Sequence, residues 1–224
     1  MFAKSRARLI LVALASLALI PYVPKAMAGS ASITESPSKA VVTAPTTETE
    51  DFIHGGQWDV IVADGFYSMA AWPRERRPLF SFNETDLQLG YMLPVWGNSF
   101  YRGNFEALAH LFLWESTREH SGILGGGALD LHYNFVQRGW RLVPYIGASL
   151  GLSGNDLYVQ QSQRIIGGPF EFVLQAKVGA RYFIDKNWGF LIEAGYQHVS
   201  NDNIYPRNVG VNQTGGRFGI FCTF

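Results

Sequence analysis

From Gln57 onward the chain alternates apolar and polar side chains in segments of about ten residues, and nowhere offers a long amphipathic helix or a 20-residue apolar span. The stretch Phe100 to Trp114 shows the pattern most fully. Tyr101, Gly103, Phe105, Ala107, Ala109, Leu111 and Leu113 share one face, opposite Arg102, Asn104, Glu106 and His110. Pro169 to Ile184 repeats it, with Phe170, Phe172, Leu174, Ala176, Val178, Ala180, Tyr182 and Ile184 opposite Glu171, Gln175, Lys177 and Arg181. Such a period of two excludes a helical fold and specifies strands longer than a small soluble sheet usually needs.

Collecting these segments predicts about eight strands: Trp58 to Ser68, Glu84 to Leu93, Phe100 to Trp114, Gly122 to Phe135, Leu142 to Ser153, Pro169 to Ile184, Trp188 to Ser200 and Gly215 to Phe224. The expected fold class is all-β, an eight-stranded antiparallel transmembrane β-barrel. A soluble sandwich or lipocalin would alternate too, so inside and outside must be assigned on other grounds. Long connections (69–83, 115–121, 154–168, 201–214) alternate with shorter ones (94–99, 136–141, 185–187). The last strand ends on Phe224, resembling the assembly signal of bacterial outer-membrane barrels. The 16 Phe, 10 Tyr and 6 Trp suit interface girdles, to which Trp58, Trp96, Trp114, Trp140 and Trp188 are assigned. An eight-stranded barrel is filled by side chains, which disfavours a porin.

The N-terminus supports delivery across a membrane. Lys4, Arg6 and Arg8 precede the apolar run Leu9 to Ile20, and Ala26-Met27-Ala28 supplies the small residues of a cleavage site, so residues 1–28 read as a signal peptide. Residues 29–55 form a flexible Ser/Thr-rich leader and residues 56–224 the barrel. The only cysteine, Cys222, cannot form an intramolecular disulfide. The net charge of zero gives no global basic field, so no nucleic-acid partner is expected.

Against this scaffold one strand ends in chemistry. In Phe190 to Asn201, Phe190, Ile192, Ala194, Tyr196, His198 and Ser200 share a face, and two residues along a strand place Cβ atoms roughly 6 to 7 Å apart. A serine hydroxyl needs a base, and imidazole is suited to that role near neutrality. Asn201 could donate an amide hydrogen bond to an oxyanion. Short turns face the periplasm in such barrels, so the seventh strand would end at the cell surface, beside lipopolysaccharide.

The residues His198-Val199-Ser200-Asn201, then Ile204-Tyr205, Asn208-x-Gly210-x-Asn212 and a terminal Phe resemble the lipid A 3-O-deacylases of the PagL type, in the set often labelled acyloxyacyl hydrolase. Leu142-Val143-Pro144-Tyr145-Ile146-Gly147-Ala148 resembles that family's central strand. The resemblance implies a Gram-negative outer-membrane enzyme that hydrolyses the 3-position ester of lipid A with Ser200 as nucleophile, His198 as base and Asn201 at the oxyanion, without cofactor or metal. Its implied partners are lipid A or lipopolysaccharide and outer-membrane lipids, with a homodimer left open. Where well-known members carry a glutamate about twelve residues after the serine, this chain has Asn212, the candidate for orienting His198. Asp202 and Glu193 are the nearby acids.

Arg102, Glu106, His110, Asp130, His132, Glu171, Lys177, Arg181 and Glu193 share inward parity and are expected to form a paired charge network. A metal site from His110, Asp130 and His132 matches no known ligand spacing and is rejected. Arg74, Arg76 and Arg77, in the first outer loop, are either a solvated run or contacts for lipid A phosphates. Gly125 to Gly127 reads as a bent stretch of strand. The rival readings are a non-catalytic eight-stranded barrel for surface interaction or protection, an acyltransferase barrel, and a soluble lipocalin-like binder.

Overall fold

The computed structural model describes residues 51–69, 79–118 and 120–224. The expected signal peptide, most of the expected leader and the arginines Arg74, Arg76 and Arg77 lie outside the described residues. The body is a closed antiparallel barrel of eight strands: β1 (Trp58–Ser68), β2 (Ser81–Met92), β3 (Gly103–Ser116), β4 (Gly122–Phe135), β5 (Leu142–Asn155), β6 (Phe170–Phe183), β7 (Trp188–Ser200) and β8 (Val211–Thr223). Among the described residues the only helical elements are two single 3-10 turns between β5 and β6.

In lipid every backbone N–H and C=O must be paired within the protein, and the β1–β8 ladder, from Asp59 opposite Thr223 to Ser68 opposite Thr214, completes that pairing. The stagger follows from the registers. The cross-strand row leaving β1 at Trp58 passes Tyr91, Ala107, Leu131, Ala148, Ala176, Tyr196 and Thr214 and returns to β1 at Ser68, ten residues further along. A shear of that size tilts the strands by about 40°. Each row therefore climbs from β1 toward β8. The row beginning at Val60 runs through Leu89, Ala109, Leu129, Leu150 and Leu174 to reach His198 and Asn212 at the long-loop rim.

The alternation resolves as a membrane protein's. Apolar side chains such as Leu129, 75 % exposed, and Ile192, 64 % exposed, project outward, while most of the barrel's charged side chains turn in. Trp58, Trp96, Trp140 and Trp188 are exposed near the short-turn rim, as girdle residues should be. Trp114 is a correction. It sits on the inward parity of β3, fully buried, stacked on Phe112 at 4.6 Å and tilted against Phe82.

Trp114 belongs to an unexpected layering of the interior. An apolar cluster including Phe80, Phe82, Trp114, Val173, Val199 and Val211 closes the long-loop end. A second, with Ile53, Met92, Phe183 and Phe221, closes the other. Between them lies the charged layer. Arg181 holds Glu106 through two bonds of 2.7 and 2.8 Å and approaches Asp59 at 3.2 Å. Arg217 meets Asp86 at 2.5 Å, Glu193 at 3.1 Å and Glu84 at 3.5 Å, and Lys177 holds Asp130 at 2.6 Å. Asp59, Glu84, Asp86 and Arg217 join the network unforeseen. Two expected members stand apart: Arg102 pairs with Asp51 near the short-turn rim, and Glu171 bonds to Asn201 at the other. His110 and His132 flank Asp130 at 3.4 and 3.9 Å, beside the Lys177 ammonium.

Outside, Asp64 breaks the apolar wall of β1, with Thr85 of β2 donating to its carboxylate at 2.7 Å. Inside, Arg217 compensates three carboxylates away from water, so its loss should cost more than any single surface pair. We expect Arg217→Met to lower unfolding free energy by about 3–5 kcal/mol, because the acids are left buried without their cation. Urea unfolding of the refolded barrel, followed by tryptophan fluorescence, measures this; a shift below about 1 kcal/mol would contradict it.

Candidate active site

The site is assembled by the β7–β8 register. His198 lies directly opposite Asn212, two residues before Ser200 on the same outward face. The Ser200 hydroxyl is 2.9 Å from His198 Nε2, and His198 Nδ1 is 2.7 Å from Asn212 Oδ1. An amide oxygen only accepts, so Nδ1 carries the proton and Nε2 is free to accept from serine. The order is that of a nucleophile, a base and an orienting group. A third contact completes it: the Tyr196 hydroxyl donates to Asn212 Oδ1 at 2.5 Å.

The last strand begins at Val211 where the sequence placed it at Gly215. Val211 to Thr214 pair with Val199 to Tyr196, and these added residues carry Asn212 to the histidine. The turn before it is equally constrained. Gly210 has φ +76°, a left-handed conformation that favours glycine. A Cβ there would also stand 2.9 Å from His198 Cε1, so the bare backbone leaves the imidazole its place.

Asn201 departs from expectation. Alternation carries its side chain through the wall to the inside, where it is fully buried. Its Nδ2 donates to Glu171 Oε1 at 3.3 Å and to the Arg207 carbonyl at 2.9 Å. Its backbone N–H donates to Asn208 Oδ1 at 3.1 Å. The side-chain amide is thus committed away from the serine, and Asn201 anchors the 201–210 turn instead of offering its amide to an oxyanion. Asp202 and Asn203 follow with φ 48° and 63°, and the turn closes through Ile204 N–H to the Asn201 carbonyl at 2.9 Å.

That turn leans on the connection between β5 and β6. Arg207 donates to the Tyr158 carbonyl at 2.9 Å, and Asn208 bridges to Ile166. Gly168 permits the approach, since a Cβ there would fall 2.1 Å from the Tyr205 ring. Beside the catalytic-type pair, β6 presents Phe172 opposite Ser200 and Leu174 opposite His198, an apolar wall next to a hydrolytic one. The acids considered for the third position are elsewhere. Asp202 lies in the exposed turn, and Glu193 faces inward, accepting from Tyr145 at 2.9 Å and meeting Arg217.

Among known families, a model described as lipid A 3-O-deacylase (PagL) matches residues 79–221. No curated protein matches the chain in sequence. Similar solved structures include the outer membrane enzyme PagL, 19 % identical over 72 % of this chain and 97 % of that one, with a TM-score of 0.48. Neisserial surface protein A (NspA) is 16 % identical, over 75 % of this chain and 94 % of its own, at 0.44. The outer membrane protein OprG from Pseudomonas aeruginosa is 13 % identical, over 78 % and 99 %, also at 0.44.

A hydroxyl activated in this way should react with a fluorophosphonate probe. Labelling is expected at Ser200 in the natural chain and to be lost in His198→Ala. Gly210→Ala should slow it about tenfold or more, because displacement of a positioned group by about an ångström costs up to 10²-fold. Intact-mass spectrometry of the labelled barrel reads both effects, and equal labelling of all three would remove the serine–histidine pair from consideration.

Proposed function

The chain belongs to the lipid A 3-O-deacylase (PagL) family, and from this we propose that it is an outer-membrane serine esterase that removes the 3-position ester-linked acyl chain of lipid A. The observation that carries the reading is the Ser200–His198–Asn212 chain of hydrogen bonds, at 2.9 and 2.7 Å, on the lipid-facing wall at the long-loop rim. A glycolipid ester held in the neighbouring leaflet would meet the serine there without leaving the membrane. Residues 1–28 serve, in this reading, as the export signal, and the long-loop rim faces the cell surface.

The steps follow from the atoms present. Ser200 Oγ attacks the acyl carbonyl as His198 Nε2 takes its proton, giving a tetrahedral oxyanion. Its negative charge is met by backbone N–H groups of the turn that Asn201 opens. Collapse expels the sugar alkoxide, which takes the proton from His198, and the acyl group stays on Ser200. Water then enters, gives its proton to His198, and releases the fatty acid as Ser200 recovers its hydrogen. Asn212 keeps the imidazole in the productive tautomer, although as an amide it stabilises the imidazolium less than a carboxylate would. Leu174 and Phe172 lie beside the pair as apolar surface for the acyl chain.

The mass spectrum of lipid A from a host expressing the natural chain should lack one hydroxyacyl group. Ser200→Ala and His198→Ala should each abolish the loss, a fall of at least about 10³-fold. A gain of acyl mass would instead indicate a transferase. Spectra matching the empty host in all cases, with the barrel folded in the outer membrane, would leave a non-catalytic surface barrel as the reading.

A further inference from the structure

Resting on that esterase reading, we infer that Tyr196 is a positioning residue of the site, holding the Asn212 amide in the one orientation that lets His198 act as a base. The problem it solves is created by the amide. A carboxylate offers an acceptor on either oxygen, whereas Asn212 has an acceptor at one end and a donor at the other. With Oδ1 toward His198 Nδ1, at 2.7 Å, the proton sits on Nδ1 and Nε2 can receive the serine proton. Turned about its last torsion, the same amide would donate Nδ2–H to Nδ1. The proton would move to Nε2, and Ser200 would face a donor. In the well-studied serine protease triad, exchanging the third carboxylate for an amide leaves the geometry intact yet costs about 10⁴-fold through the wrong tautomer.

Tyr196 supplies what a bare amide lacks. It stands on the same outward face two residues before His198 and opposite Thr214, hence diagonal to Asn212, a separation an aromatic side chain spans. Its hydroxyl donates to the same Oδ1 at 2.5 Å. Two donors, one from the phenol and one from the imidazole, therefore converge on one acceptor. Turning the amide would set NH₂ against both. The phenol could then accept, but its own O–H would lose this acceptor at a half-exposed, lipid-facing position, where an unpaired hydroxyl is costly. The donor on Tyr196 selects the oxygen, and the oxygen selects the tautomer.

The consequence is a coupling that a packing role would not produce. Tyr196→Phe removes one oxygen atom and keeps the ring in the wall, so melting curves should shift only slightly. In the Asn212 background it should lower kcat about tenfold with KM little changed, the scale of one lost hydrogen bond. Combined with Asn212→Asp, whose two oxygens both accept, the same change should cost less than about twofold. The direct readout is the imidazole ¹⁵N spectrum of the full barrel in lipid nanodiscs, with His198 assigned by its loss in His198→Ala. The natural chain should show the Nδ1–H tautomer and Tyr196→Phe a substantial share of Nε2–H. Asn212→Asp with Tyr196→Phe should return it to Nδ1–H. An unchanged tautomer in Tyr196→Phe, or an equal loss of rate in both backgrounds, overturns the inference. A natural chain without turnover on lipid A would sink the esterase reading, while the tautomer spectra would still decide the role of Tyr196.

Discussion

A wall in lipid has nowhere to hide an unpaired amide, and the rest of this structure depends on how that demand is met. Closing β8 onto β1 satisfies the backbone, but only with a stagger of ten residues, and the stagger makes each cross-strand row climb toward the long loops. The row of leucines at mid-wall consequently emerges at the rim as His198 and Asn212. The site is thus a place where the hydrogen-bonded lattice passes from apolar to polar side chains, with no separate element built to carry it. The same register fixes which residue faces the histidine, so the pairing of His198 with Asn212 is inherited from the ladder.

The interior bears the complementary cost. Three basic side chains, Arg181, Arg217 and Lys177, are shared among Asp59, Glu84, Asp86, Glu106, Asp130 and Glu193. The apolar clusters at both ends keep this layer from bulk water, which strengthens each pair and raises the penalty for breaking one. The upper cluster includes Val173, Val199 and Val211, the inward partners on the very strands that carry the site. The outward His198–Ser200 pair is braced from within by close packing. Asn201 extends that brace, tying the turn after Ser200 to Glu171 inside the barrel.

Strand existence and facing were legible because period-two alternation is a local property, and every outward residue of β6 and β7 follows it. His198 and Ser200 were legible for the same reason, being neighbours on one strand. What lay beyond local reading was anything set by a partner strand. Val211 to Thr214 read in isolation as the end of the 201–214 loop, and only pairing with β7 extends β8 to Val211 and brings Asn212 to the imidazole. Tyr196 was placed on the correct face, but its contact with Asn212 is diagonal across two strands and leaves no trace in spacing. Asn201 is the instructive case. Parity alone, applied one residue past Ser200, sends its side chain inward, and the family likeness obscured that. Trp114 is the opposite case: its residue type suits the rim, but its parity on β3 points to the core.

His198 and Ser200 project from the convex outside of the cylinder, flanked by Leu174 and Phe172, so in the proposed function the bilayer itself would supply the other half of the cleft. For an esterase built in this way, bulk concentration is the wrong variable. Encounter would take place by lateral diffusion in two dimensions, and the rate would follow the mole fraction of substrate in the leaflet. Detergent that leaves the fold untouched would then slow turnover by surface dilution alone.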